Sequence, residues 1–198
     1  MRVRDEYKES TLRKKAIEMI VKEGLDGISM QKLAKAAGIS PATIYIYFKD
    51  KEDLILQLCV EEFNNMTEAT LKDFDPQMSF AEGLKVQWIN RARYCMKYPV
   101  RQDFMEQIRH SRYQEKMYKL LDRRFFDAMH SFVHTAIKKK ELVPLPVEVY
   151  WSVAYAPLYQ LVKFHTQGIS FRGSDQKFVF TEEMMMQTLN LVIKALAP

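Results

Sequence analysis

Between Gly27 and Leu54 the chain reads GISMQKLAKAAGISPATIYIYFKDKEDL, two short apolar-periodic segments parted by a glycine, each opened by a serine. Few local structures accommodate that punctuation. Ser29 stands where an N-cap belongs, its hydroxyl able to accept from an orphan backbone N–H, and Met30, Leu33, Ala34 and Ala37 follow at helical spacing. Gly38 ends this segment, since a tight turn requires a residue that tolerates the left-handed conformation. Ser40 caps the next helix, and Pro41 takes its first position, where a missing N–H costs nothing. That helix is expected to continue from Ala42 to Phe48. Asp50 caps a longer helix, with Glu52 and Asp53 in its first turn, where the dipole favours acids. Upstream, Leu12, Ala16, Ile17, Ile20 and Val21 mark an amphipathic helix that should stop at Gly24. Leu33, Ala34, Ile39, Ile44 and Phe48 are spaced to pack both short helices onto it.

The remainder also reads as helix. Only 6 glycines and 7 prolines interrupt 198 residues, which favours long helices over many strands and turns. The sequence Asp73-Phe74-Asp75-Pro76 breaks the chain. Helical pattern resumes near Ser79 and is interrupted again at Pro99. One longer helix is expected from Gln114 to Lys140, its basic end suited to a helix C-terminus. Pro144 and Pro146 mark the next boundary. The apolar stretch from Val147 to Thr166 carries Pro157, which should kink it. A loop covers Gly168 to Ser174, and a last helix starts at Thr181. The fold expected is all-α, with roughly eight or nine helices. It consists of a three-helix head over residues 1–50 and a helical bundle over 51–198 for regulation and dimerisation.

The net charge of +5 is mild, but its distribution is informative. Residues 1–49 hold ten Lys/Arg against six Asp/Glu, and residues 50–84 hold two against nine. Residues 85–140 are basic again, with fourteen against five. A basic head suits an anionic polymer. A short helix, a turn and a second short helix is the arrangement that seats a recognition helix in the major groove. Ser29, Thr43, Tyr45, Tyr47 and Lys51 are donors able to reach phosphate oxygens, and such contacts fix register without reading sequence. Phe48 is core, while Tyr45 and Tyr47, two apart on a helix, cannot both face that core. Ser40, Pro41 and Ala42 open the recognition helix toward base edges, and the methyls of Ala42 and Thr43 suit a thymine methyl. Arg2 and Arg4 are candidates for a flexible arm.

These residues resemble the DNA-binding head of TetR-type regulators. The resemblance rests on Ser29, Ala34, Gly38-Ile39-Ser40, Thr43-Ile44-Tyr45, Tyr47-Phe48, Lys51 and Leu54. It implies that Ser29, Tyr45, Tyr47 and Lys51 grip phosphates and that Pro41, Ala42 and Thr43 lie nearest the bases. It also implies a homodimer on a palindromic double-stranded operator, paired through the last two long helices. The chain departs from the family at Pro41, a position that is often Lys or Arg, and so loses a direct hydrogen bond to a base there.

In the body, Trp88, Phe104, Phe125, Met129, Trp151, Tyr155 and Tyr159 are the candidate lining of a small-molecule pocket, since such pockets are aromatic and apolar. Arg91, Arg93, Lys97, Arg101, Arg109 and Arg112 share no single helical stripe and read as a solvated face rather than an anion site. His130 and His134, four apart, form a possible pair of metal ligands, but no acidic or cysteine ligand is evident beyond Asp127, and no metal or other cofactor is expected. There is no Gly-rich phosphate loop or nucleophile elbow, so no enzyme is expected. The charged N-terminus and the lack of a long apolar run point to a cytoplasmic protein with no membrane partner. Cys59 and Cys95 read as buried thiols. The function expected is a ligand-responsive repressor that releases its operator when an unknown small molecule binds the body. The alternative is a DNA-bound scaffold that contacts another protein and has no effector.

Overall fold

The computed structural model describes residues 6–168 and 177–198. Among these residues it is all-helical, with α1 (Glu6–Gly27), α2 (Met30–Ala36), α3 (Pro41–Ile44), α4 (Lys51–Leu71), α5 (Phe80–Lys97) and α6 (Pro99–Arg109). There follow α7 (Tyr113–Tyr118), α8 (Arg124–Lys138), α9 (Val147–Ala154), α10 (Ala156–Gln167) and α11 (Glu182–Leu196). The possible Arg2/Arg4 arm and most of the Gly168–Ser174 loop lie outside the described residues. Gly168 itself closes α10 at φ 65°.

Two helices differ from expectation. The single helix from Gln114 to Lys140 is two, α7 and α8. No glycine or proline separates them, so periodicity ran through the gap. Just before α8, Asp122 Oδ1 accepts from Arg124 N at 3.0 Å. Helix α3 ends at Ile44, and the chain turns through Tyr45–Tyr47 before Phe48. The break at Pro157 is as expected, with the two helices meeting at Tyr155.

The helices pack as two compact units, one of residues 1–65 and 98–121, the other of 66–97 and 122–198. Packing thus divides the chain differently from the division at residue 50, because the start of α4 together with α6 and α7 completes the first core. That core gathers Leu12, Ala16 and Ile20 of α1, Leu33, Ile44 and Phe48, Leu54 and Leu58 of α4, and Phe104 and Ile108 of α6. The second core is built on Phe80, Leu84 and Trp88 of α5, Phe132 of α8, Tyr155, Leu158 and Leu189. Burying each such side chain contributes about 1.5–3 kcal/mol. Both cysteines are free and buried. No described helix is long and apolar enough to cross a membrane.

Candidate nucleic-acid interface

The head is assembled from caps. Ser29 Oγ accepts from Lys32 N at 3.2 Å and opens α2. Gly38 turns the chain at φ 68°, and Ile39 N donates back to Ala34 O at 3.0 Å. Ser40 Oγ then accepts from Thr43 N at 3.2 Å and shares a hydrogen bond with Thr43 Oγ1 at 2.8 Å. Asp50 Oδ1 accepts from Asp53 N at 2.8 Å to open α4, while Asp53 Oδ2 reaches back to Lys49 N. Each cap supplies an acceptor for a backbone donor that the helix leaves bare, which is worth about 1 kcal/mol.

Behind this surface stands Arg13, which sequence reasoning passed over. Its guanidinium pairs with Glu9 at 2.7 Å and Glu61 at 2.9 Å, donates to Gln57 Oε1 at 2.8 Å and lies 5.3 Å from the centroid of the Phe48 ring. It ties α1 to α4 and fixes Phe48, and with it the turn that follows α3. A basic residue at helical spacing on α1 gave no signal of that role, because Gln57 and Glu61 lie more than forty residues away and Phe48 is nearly as distant.

The outward side of α2, α3 and the following turn carries most of the expected residues. Ser29, Ser40, Pro41 and Ala42 are exposed, and Tyr45 is 55% exposed. Thr43 and Lys51 are half-buried. Tyr47 departs from expectation. It is 7% exposed, belongs to the head's hydrophobic cluster and lies against the Phe48 ring. The expectation rested on the helix continuing past Ile44, and the turn places Tyr47 with Phe48 instead. The outward position beside Tyr45 is held by Ile46, 40% exposed, an apolar residue that sequence analysis overlooked.

The body candidates divide between the units. Phe104 is fully buried in the first core. The other six belong to the second unit, most of them about Arg91 of α5. Trp88 Nε1 donates to Ala154 O at 2.8 Å and is plain core. Arg91 is 1% exposed, which overturns its reading as a solvated residue. Its Nη1 donates to Tyr159 Oη at 2.7 Å, and its Cζ lies 5.5, 5.3 and 4.5 Å from the centroids of Phe125, Trp151 and Tyr155. Gln87 Oε1, one turn earlier on α5, accepts from Tyr155 Oη at 2.7 Å, and Met129 Sδ lies 3.9 Å from the same hydroxyl. Burial works against the Arg91 charge, but the phenols of Tyr159 and Tyr155 more than offset it and hold the pKa above the ordinary arginine value. Burial likewise raises the pKa of Tyr155 and Tyr150. His130 and His134 stack at 6.3 Å, but among the described residues no three potential ligands come together for a metal.

Comparison with known proteins accords with the head. The model of bacterial regulatory proteins of the tetR family matches residues 12–58. The chain is similar to an uncharacterized HTH-type transcriptional regulator of Haemophilus influenzae, with 39% identity over 72 residues. It is also similar to the fatty acid metabolism regulator protein of Bacillus subtilis, with 35% identity over 69 residues. These matches take in 36% and 35% of this chain, and 38% and 36% of those proteins' lengths. Over its whole length the fold is similar to a TetR family transcription regulator from Marinobacter aquaeolei. That similarity has TM-score 0.80 and 28% identity, covering 100% of this chain and 99% of the other. The head, over residues 12–58, is thus similar in sequence to the bacterial regulatory proteins of the tetR family, and the whole chain is similar in fold to a TetR family transcription regulator.

Proposed function

We propose that the protein is a cytoplasmic, ligand-responsive repressor that binds a palindromic operator as a homodimer and releases it when a small molecule occupies the body. The observation that carries this reading is the capped turn between α2 and α4. It presents Ser29, Ser40, Pro41, Ala42, Thr43, Tyr45 and Lys51 as a polar surface over a closed core. In the proposed complex Ser29, Tyr45 and Lys51 hold phosphates and Pro41, Ala42 and Thr43 meet base edges. The residues from 1 to 50, together with Lys51 at the start of α4, bind DNA, and the rest of the chain to 198 senses and dimerises.

Dimerisation through α9–α11 is supported by apolar side chains left uncovered there: Val149 is 45% exposed, Met184 37% and Leu191 66%. Two heads are then available for successive major grooves, roughly 34–36 Å apart. Release requires that ligand bind the DNA-free state more tightly than the DNA-bound one. Isothermal titration of effector into dimer, with and without operator, tests this. Weaker ligand binding in the presence of operator is expected, and equal affinity in both would sink the coupling.

A further inference from the structure

Among the described residues, the second unit holds a cation with no anion. Arg91 is 1% exposed, and among those residues its Nε and Nη2 have no hydrogen-bond partner. Nor does Nε2 of Gln87, which is 0% exposed and stands one turn away on the same face of α5. All three orphan groups are donors. A buried donor without an acceptor costs about 1–3 kcal/mol, and more when it is charged. Buried charges in proteins are ordinarily paired. Here the surroundings are the rings of Phe125, Trp151 and Tyr155 and the hydroxyl of Tyr159. The rings offer their π faces, and the hydroxyl occupies only Nη1. No carboxylate is bonded to the guanidinium among the described residues.

The geometry of what is left open selects the ligand. Nε and Nη2 form one edge of the guanidinium, and their N–H bonds run parallel. That edge matches the two oxygens of a carboxylate. The aromatic rings around it favour an apolar or aromatic body on the same molecule. From this we infer that the second unit binds a small monocarboxylate with an apolar or aromatic body. Its carboxylate pairs with the Nε/Nη2 edge of Arg91, and Gln87 Nε2 donates to the same group. This deepens the proposed function by naming the class of effector, and it rests on that reading only for the consequence at DNA. The binding site itself stands on Arg91 and Gln87.

The test separates the two. A panel of monocarboxylates, from benzoate and phenylacetate to octanoate and decanoate, is titrated calorimetrically into the full-length protein without DNA. Each is paired with its primary amide, and inorganic phosphate is run beside them. At least one carboxylate should bind and raise the melting temperature, with its amide weaker by about tenfold or more. Arg91→Met should abolish the preference for carboxylate over amide. If that variant does not fold, the acid–amide comparison on the unaltered protein still decides. Equal binding of acid and amide, binding of phosphate alone, or no binding by any carboxylate would overturn the inference. A carboxylate that binds without altering operator affinity would leave the site standing and contradict the ligand-responsive reading. Operator binding with no carboxylate response would do the reverse.

Discussion

Tyr45 and Tyr47 are two residues apart and have opposite placements. Tyr45 is exposed on the outward side of the head, and Tyr47 is packed beside Phe48. Tyr45→Phe should therefore weaken DNA binding about fivefold on every sequence, the loss of one hydrogen bond, with no change in melting temperature. Tyr47→Ala should instead lower stability by about 3 kcal/mol, as large-to-small core changes do. Thermal denaturation and operator titration of both variants check the pair, and exchanged phenotypes would refute the placement. A second residue-scale expectation concerns Cys59, whose thiol pKa is pushed up to about 12, chiefly by burial. In the unfolded chain the thiol ionises near its ordinary value of 9.0. Its contribution to stability is thus full below about pH 9 and is lost as pH rises through about 12. At pH 8 iodoacetamide should leave the native Cys59 peptide unmodified by mass spectrometry and modify it only in denaturant. Labelling of the native protein would show the site to be open.

At the scale of elements, what was legible in the sequence was what is decided locally. Ser29, Ser40 and Asp50 cap their helices as read, and Thr181, where the last helix was expected to start, caps it too, because a cap and its N–H lie three residues apart. Pro157 breaks the apolar stretch for an equally local reason. The split between α7 and α8 was missed because no glycine or proline marks it. Arg91 was misread for a different reason. Its neighbours come from α8, α9 and α10, and nothing on α5 announces that four aromatic residues will close over it. The close approach of α5 and α8 yields a further prediction. A Cβ at Gly83 would lie 2.8 Å from Phe132 Cζ, too near for any carbon contact. Alanine gains about 1 kcal/mol in helix propensity. Overpacking costs about 1–3 kcal/mol, and the Phe132 ring is 0% exposed and cannot swing away. Gly83→Ala should therefore lower the denaturation midpoint in urea, and an unchanged or higher midpoint would show that the two helices separate at little cost.

At the scale of the whole molecule, a single head offers few contacts, so the account requires two. Leu191, the most exposed apolar side chain of α11, stands at the proposed dimer surface. Leu191→Glu should shift the protein toward monomer in sedimentation velocity and weaken operator binding without unfolding it. A dimer that persists unchanged would place the interface elsewhere. The claim on which all else depends is that this chain recognises a DNA sequence. Fluorescence anisotropy on its own upstream intergenic DNA, against scrambled DNA and across a salt series, tests it directly. The account predicts tight binding that prefers the native sequence and weakens steeply with salt, with the salt slope falling by about one unit in Lys51→Ala. Equal affinity for native and scrambled DNA, or no binding at low salt, would contradict it.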